Sequence, residues 1–117
     1  MFVSQYTGPT GILRASHRAQ DPQRSTPMLP YHPHDKEDKV PPGDIVKLEI
    51  SLWPMGIHFE AGEGLLFRVQ GFVDTSSDFP SHIDKKLENL NEGQHTIHFG
   101  GKYDSTIIVP IVALPAQ

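Results

Sequence analysis

The chain has 117 residues, ten basic and fourteen acidic, no cysteine and a formal net charge of -4. That length supplies one domain or less, with one modest core. The scattered basic residues argue against a nucleic-acid partner, no apolar run reaches the roughly 18 residues of a membrane span, and the absence of cysteine excludes disulfides and thiolate chemistry.

Proline is the compositional outlier, at 11 residues, about twice the usual ~5% share. It favours short strands and irregular connections over helices. Residues 1–10 form a lead-in that ends on a Gly-Pro turn signal. They lack the basic start and apolar stretch of a signal peptide, so the expectation is a cytoplasmic chain.

Residues 11–18 (GILRASHR) are a candidate strand. Residues 20–43 hold Pro22, Pro27, Pro30, Pro33, Pro41 and Pro42 together with the charged run DKEDK at 35–39. Central strands avoid proline, so this stretch reads as a surface excursion. Residues 44–53 are the clearest element. Ile45, Lys47, Glu49 and Ser51 alternate with Val46, Leu48, Ile50 and Leu52, the period of a half-buried strand with the second set inward. Trp53-Pro54 ends it.

Residues 59–62 (FEAG) read as a turn into a further strand at 65–73. Residues 74–93 are polar, with one or two helical turns expected at 85–90 (KKLENL). Residues 94–99 form a short strand, Gly100-Gly101 supply a permissive turn, and residues 106–114 are apolar on both faces, as in a strand between layers. Short strands, turn signals and no convincing helix indicate an antiparallel sandwich or barrel.

The chemistry-bearing residues are sparse. Seven histidines invite a metal reading. The run His32-Pro33-His34 with Glu37 resembles the HxH…E cluster of cupins, but the acid follows too soon and Pro33 breaks strand geometry. His95 and His98, three apart on a strand, face opposite sides. No metal and no cofactor is expected. Ser81 lies near Asp78 and His82, but no GxSxG elbow presents a nucleophile, and no catalytic residue is assigned. Arg18 and Arg24 flank a strand end and are candidate contacts to a partner carboxylate. Pairing with Asp21 or another local acid is the simpler account. Trp53 is a third candidate contact. With Phe59, Phe67 and Phe72 it lines either a sugar-binding groove or, more simply, a small core.

The ordered series GILRASHRAQDPQRSTP (11–27), PYHPHDKED (30–38), PPGDIVKLEISLWP (41–54), SSDFP (76–80) and HTIHFGGKYDS (95–105) resembles the C-terminal domain of X-Pro dipeptidyl-peptidases and cocaine-esterase-like (CocE/NonD) hydrolases. The resemblance runs through nearly the whole chain. It implies an all-β fold: a partial jelly-roll, galactose-binding-domain-like, antiparallel β-sandwich with long Pro-rich irregular segments. Residues 1–117 would be one partial domain, the later portion of that jelly roll, with 20–43 docked as an excursion. The α/β-hydrolase domain bearing the Ser-Asp-His triad would lie outside this sequence and be its partner. Open sheet edges would allow self-association. The resemblance makes the chain a non-catalytic accessory to a serine hydrolase that acts on esters, amides or dipeptides. The alternative is a free-standing carbohydrate- or protein-binding sandwich module.

Overall fold

A computed structural model describes residues 8–71, 94–113 and 115. The chain divides into two compact units, Met1–Ala61 and Gly62–Gln117. The first unit is organised by side chains that satisfy backbone groups, not by a sheet.

The expected strand at 11–18 is instead interrupted by a 3₁₀ turn, Ala15–His17. The His17 amide donates to the Arg14 carbonyl at 2.9 Å. Arg18 explains the departure. Its guanidinium donates to the carbonyls of Ala15, at 3.0 Å, and Asp38, and pairs with the Asp38 carboxylate at 2.5 Å. The Asp38 amide returns a bond to the Ser16 carbonyl at 2.7 Å. A distant acid thus holds the turn that alternation alone would have straightened.

The proline-rich stretch is folded on itself. Asp21 accepts at its side chain from the amides of Gln23 and Arg24, while its carbonyl accepts from Arg24 and Ser25. This is an Asx-type turn with Pro22 at the position that wants a fixed φ. Thr26 and Leu29 exchange both backbone bonds, at 3.0 and 3.1 Å, around Pro27-Met28. The Asp21 amide donates to the Tyr31 carbonyl at 3.0 Å, and the Tyr31 amide to Ser25 Oγ at 2.9 Å. Residues 21–31 therefore form a closed loop of the Ω kind. The next turn, Pro41-Pro42-Gly43-Asp44, closes at 3.1 Å with Gly43 at φ 88°. Proline at the second position and a left-handed glycine at the third define a type II turn.

The segment expected as the clearest strand, 44–53, lies beside the lead-in. The Trp53 amide donates to the Thr10 carbonyl at 3.0 Å. A methyl group on Gly11 would stand 2.3 Å from the Ser51 carbonyl oxygen, and one on Gly8 would stand 3.5 Å from the Ile57 Cδ1. Partners thus move from 57 to 51 as the lead-in runs from 8 to 11, an antiparallel course. A single backbone bond is not a ladder, however. Among the described residues there are only two isolated bridges, Thr26 with Leu29 and Gly100 with Tyr103, and no strand. The stretches expected as strands at 44–53, 65–73, 94–99 and 106–114 therefore form no ladder where described. Strand periodicity fixes which face seeks cover but supplies no hydrogen-bonding neighbour. The helical turns expected at 85–90 lie outside the described residues.

In the second unit the glycine pair does what its composition predicts. Gly100 and Gly101 sit at φ 78° and 59°, and the Tyr103 amide closes on the Gly100 carbonyl at 3.0 Å. Positive φ at the second turn position but not the third is the type II′ pattern that suits a hairpin. The His98 and Tyr103 rings pack at 4.9 Å across it, and Ser105 Oγ donates to the His98 carbonyl at 2.7 Å.

No side chain is buried among the described residues. The two expected faces of 44–53 are not cleanly separated: inward Val46 is half-buried, but Leu48, Ile50 and Leu52 are exposed while outward Ser51 is half-buried. Leu66, Phe99, Ile111 and Val112 are more exposed still. Hydrogen bonds worth about 0.5–1.5 kcal/mol net each do not offset an ordering cost of about 1–2 kcal/mol per residue. Covering these apolar side chains has to supply the balance.

Candidate functional site

Among the described residues, functional groups gather where the 3₁₀ turn meets the His-Pro-His run. His32 joins three segments. Its Nδ1 lies 3.1 Å from the Ala19 carbonyl and its Nε2 lies 2.8 Å from the Glu49 carbonyl. Carbonyls only accept, so a ring protonated on both nitrogens satisfies both contacts, whereas a neutral ring satisfies one. The negative charge that suits this arrangement is close by. The Glu49 carboxylate accepts from Lys47 Nζ at 2.5 Å and from the Gln20 amide. The Lys47 bond first, then the Gln20 bond, hold the Glu49 carboxyl below its ordinary value of 4.5.

His34 points its ring at the 3₁₀ turn. Its Nδ1 lies 3.1 Å from His17 Nδ1, with ring centroids 5.3 Å apart. One proton lies between two nitrogens there, so at least one of the rings accepts. His34 is the described non-glycine residue with a positive φ, 56°. Such a backbone costs of order 1–3 kcal/mol and persists only where its surroundings hold it. Together with Ile12, Leu13 and Arg14, the two rings line an open cleft of about 340 Å³.

The residues singled out as contacts are placed separately. Arg18 is engaged by Asp38 and Ala15. Arg24 stacks its guanidinium 3.7 Å over the centre of the Tyr31 ring, inside its own loop. Trp53 is 75% exposed, and its backbone amide donates to Thr10. The three share no hydrogen bond, ion pair or ring contact. The histidine pair was not visible in the sequence because its members are 17 positions apart; its signal is that SHR and HPH are both parts of the ordered series. Among the described residues no group of three or more His, Cys, Asp or Glu side chains is placed to hold a metal. Ser81, Asp78, His82 and Phe72 lie outside the described residues.

The cleft presents a guanidinium and two imidazoles on an open, apolar-walled surface. No curated protein and no solved structure matches the chain. A family model described as the X-Pro dipeptidyl-peptidase C-terminal non-catalytic domain matches residues 1–108. Domains of this β-sandwich family normally accompany a catalytic α/β-hydrolase domain. With that match extending over nearly all of its length, the chain belongs to the X-Pro dipeptidyl-peptidase C-terminal non-catalytic domain family.

Proposed function

We propose that this chain is the later portion of a jelly-roll sandwich, galactose-binding-domain-like, that packs on the α/β-hydrolase domain of a cocaine-esterase-like or X-Pro dipeptidyl-peptidase enzyme. It contributes shape and contact area, and no reacting group. The observation that carries this is the open apolar surface: family membership calls for a sandwich, yet no described side chain is buried. Trp53 would be the exposed aromatic anchor. Arg18 and Arg24 would act by fixing the loop that frames the contact. The 20–43 excursion, already closed on itself, would dock as a preformed unit. Unmatched sheet edges also favour self-association when the hydrolase domain is absent.

The test is reconstitution. The 117-residue chain and the α/β-hydrolase domain are expressed apart and mixed. Co-elution, together with X-Pro dipeptide or ester turnover that the chain alone never shows, is the expected result. A chain that stays monomeric, folds cooperatively and ignores the hydrolase domain overturns the proposal. Trp53, exposed beside Pro54, favours one second reading, a stacking platform for a sugar. Glycan binding abolished by Trp53→Ala would establish that reading in place of the first.

A further inference from the structure

The first unit carries three arginines, and two of them are spent internally: Arg18 on Asp38, and Arg24 on the Tyr31 ring. The guanidinium of Arg14 has no partner among the described residues, and it lines the 340 Å³ cleft with His17 and His34. These two imidazoles meet through Nδ1, so neither Nε2 is used in that contact. Ile12, 76% exposed, and Leu13 form the apolar wall. No carboxylate lines the cleft.

A planar fork of donors without a described partner, beside the imidazole N–H that the Nδ1–Nδ1 contact leaves on one ring and with no resident acid, is complementary to a carboxylate. We infer that this cleft receives an acidic side chain presented by the docked hydrolase domain, which Arg14 engages in bidentate fashion while Ile12 and Leu13 cover the adjoining apolar surface. The inference rests on the proposed docking and names its contact. The left-handed backbone of His34 has a role in it. The strained residue keeps its ring against His17, so the donors are arranged before the partner arrives. A transition metal is the competing occupant, since two nitrogens 3.1 Å apart suit neighbouring positions on one ion. The two rings would need further protein ligands that the described residues do not provide, and Arg14 sets a positive charge at the rim.

The experiment measures the affinity of the chain for the α/β-hydrolase domain across a salt series, for wild type, Arg14→Gln, Arg14→Lys and Trp53→Ala. The exposed Arg14 side chain makes no described hydrogen bond or ion pair, so its replacement should leave the fold intact, which the amide spectrum checks. The expected result is a loss of about tenfold or more for Arg14→Gln, with a flatter salt dependence, and partial retention for Arg14→Lys, which keeps charge without the fork. An Arg14→Gln complex within about twofold of wild type, with the same salt slope, overturns the cleft contact and leaves domain docking standing. No wild-type complex at all overturns both. Stoichiometric Zn²⁺ uptake that is lost in His17→Gln also overturns the carboxylate assignment.

Discussion

Gly11 is the position where one added methyl group should have the largest local effect. An alanine Cβ there would lie 2.3 Å from the Ser51 carbonyl oxygen, 3.0 Å from Ile50 Cγ2 and 3.1 Å from Leu52 Cδ2. Ordinary contact begins at 3.4 Å, so the lead-in must retreat by 3.4 − 2.3, about 1.1 Å. The Thr10–Trp53 bond, 3.0 Å long, then opens to about 4 Å and ceases to be a hydrogen bond. The lost bond costs about 0.5–1.5 kcal/mol and the forced repacking about 1–3 kcal/mol. Together they come to roughly 1.5–4.5 kcal/mol, or about 10- to 2000-fold in local opening. Trp53 is the single tryptophan, which makes its backbone amide a convenient reporter. Hydrogen exchange at that amide should accelerate in Gly11→Ala by up to this factor, bounded by the wild-type protection. Two controls separate sterics from backbone conformation. Gly56 has open space around it and no positive φ, so Gly56→Ala should be neutral, or stabilising by about 0.4–1 kcal/mol. Gly43 also has open space but sits at φ 88°, so Gly43→Ala should cost of order 1 kcal/mol by conformation alone and leave the Trp53 amide unaffected. Trp53 exchange within twofold of wild type in Gly11→Ala would refute the close approach of these two segments.

Arg18→Gln should free the 35–39 run from the 3₁₀ turn and speed tryptic cleavage after Lys36 and Lys39 by about five- to tenfold, a modest factor because Asp38 is 61% exposed and its pairing is screened; unchanged cleavage would show that the pair holds nothing. The Glu49 carboxyl is depressed in the folded chain, so its contribution is present above the ordinary value of 4.5 and is lost as pH falls through the folded value; Lys47→Ala should return its NMR titration midpoint toward 4.5. His32→Phe keeps a ring but removes both carbonyl contacts, a loss of about 1–2 kcal/mol, and should raise exchange at the Asp21 amide roughly tenfold; equal rates would mean that the ring only fills space.

How far the sequence spoke depended on the range of the interaction. Turns written in local residues were legible. Gly100-Gly101 announced positive φ, and the structure uses it. The alternation at 44–53 marked Val46, Leu48, Ile50 and Leu52 as the side to be covered, but of these only Val46 is half-buried, because periodicity supplies no covering layer. The 3₁₀ turn was not legible, because Asp38, twenty positions from Arg18, holds it in place. The self-closure of 21–31 was also missed. Its prolines announced irregular chain, but the bonds that order it come from Asp21, Ser25 and Thr26 side chains, whose role emerges only once the backbone has bent. Arg18, Arg24 and Trp53 stood out as residue types. Arg14 and the histidine pair, which share one cleft, did not, since nothing in their spacing brings positions 14, 17 and 34 together.

The two kinds of segment divide the work of an accessory domain. The polar, proline-rich portion of the first unit satisfies its own backbone and needs little from outside. The alternating apolar portions are not buried among the described residues, even where the lead-in lies against Ile50 and Leu52. A surface that is already shaped loses little entropy on docking, whereas an uncovered apolar face gains most from it. Association with the hydrolase domain would therefore add to the stability of this chain as well as position it, by an amount that grows as RT ln(1 + [L]/Kd) with partner concentration. The apolar faces would respond most, through slower exchange along 44–53 and 106–113. The 21–31 loop, closed by its own bonds, would change least. Uniform protection across both would mean that the loop, too, is ordered only by its partner.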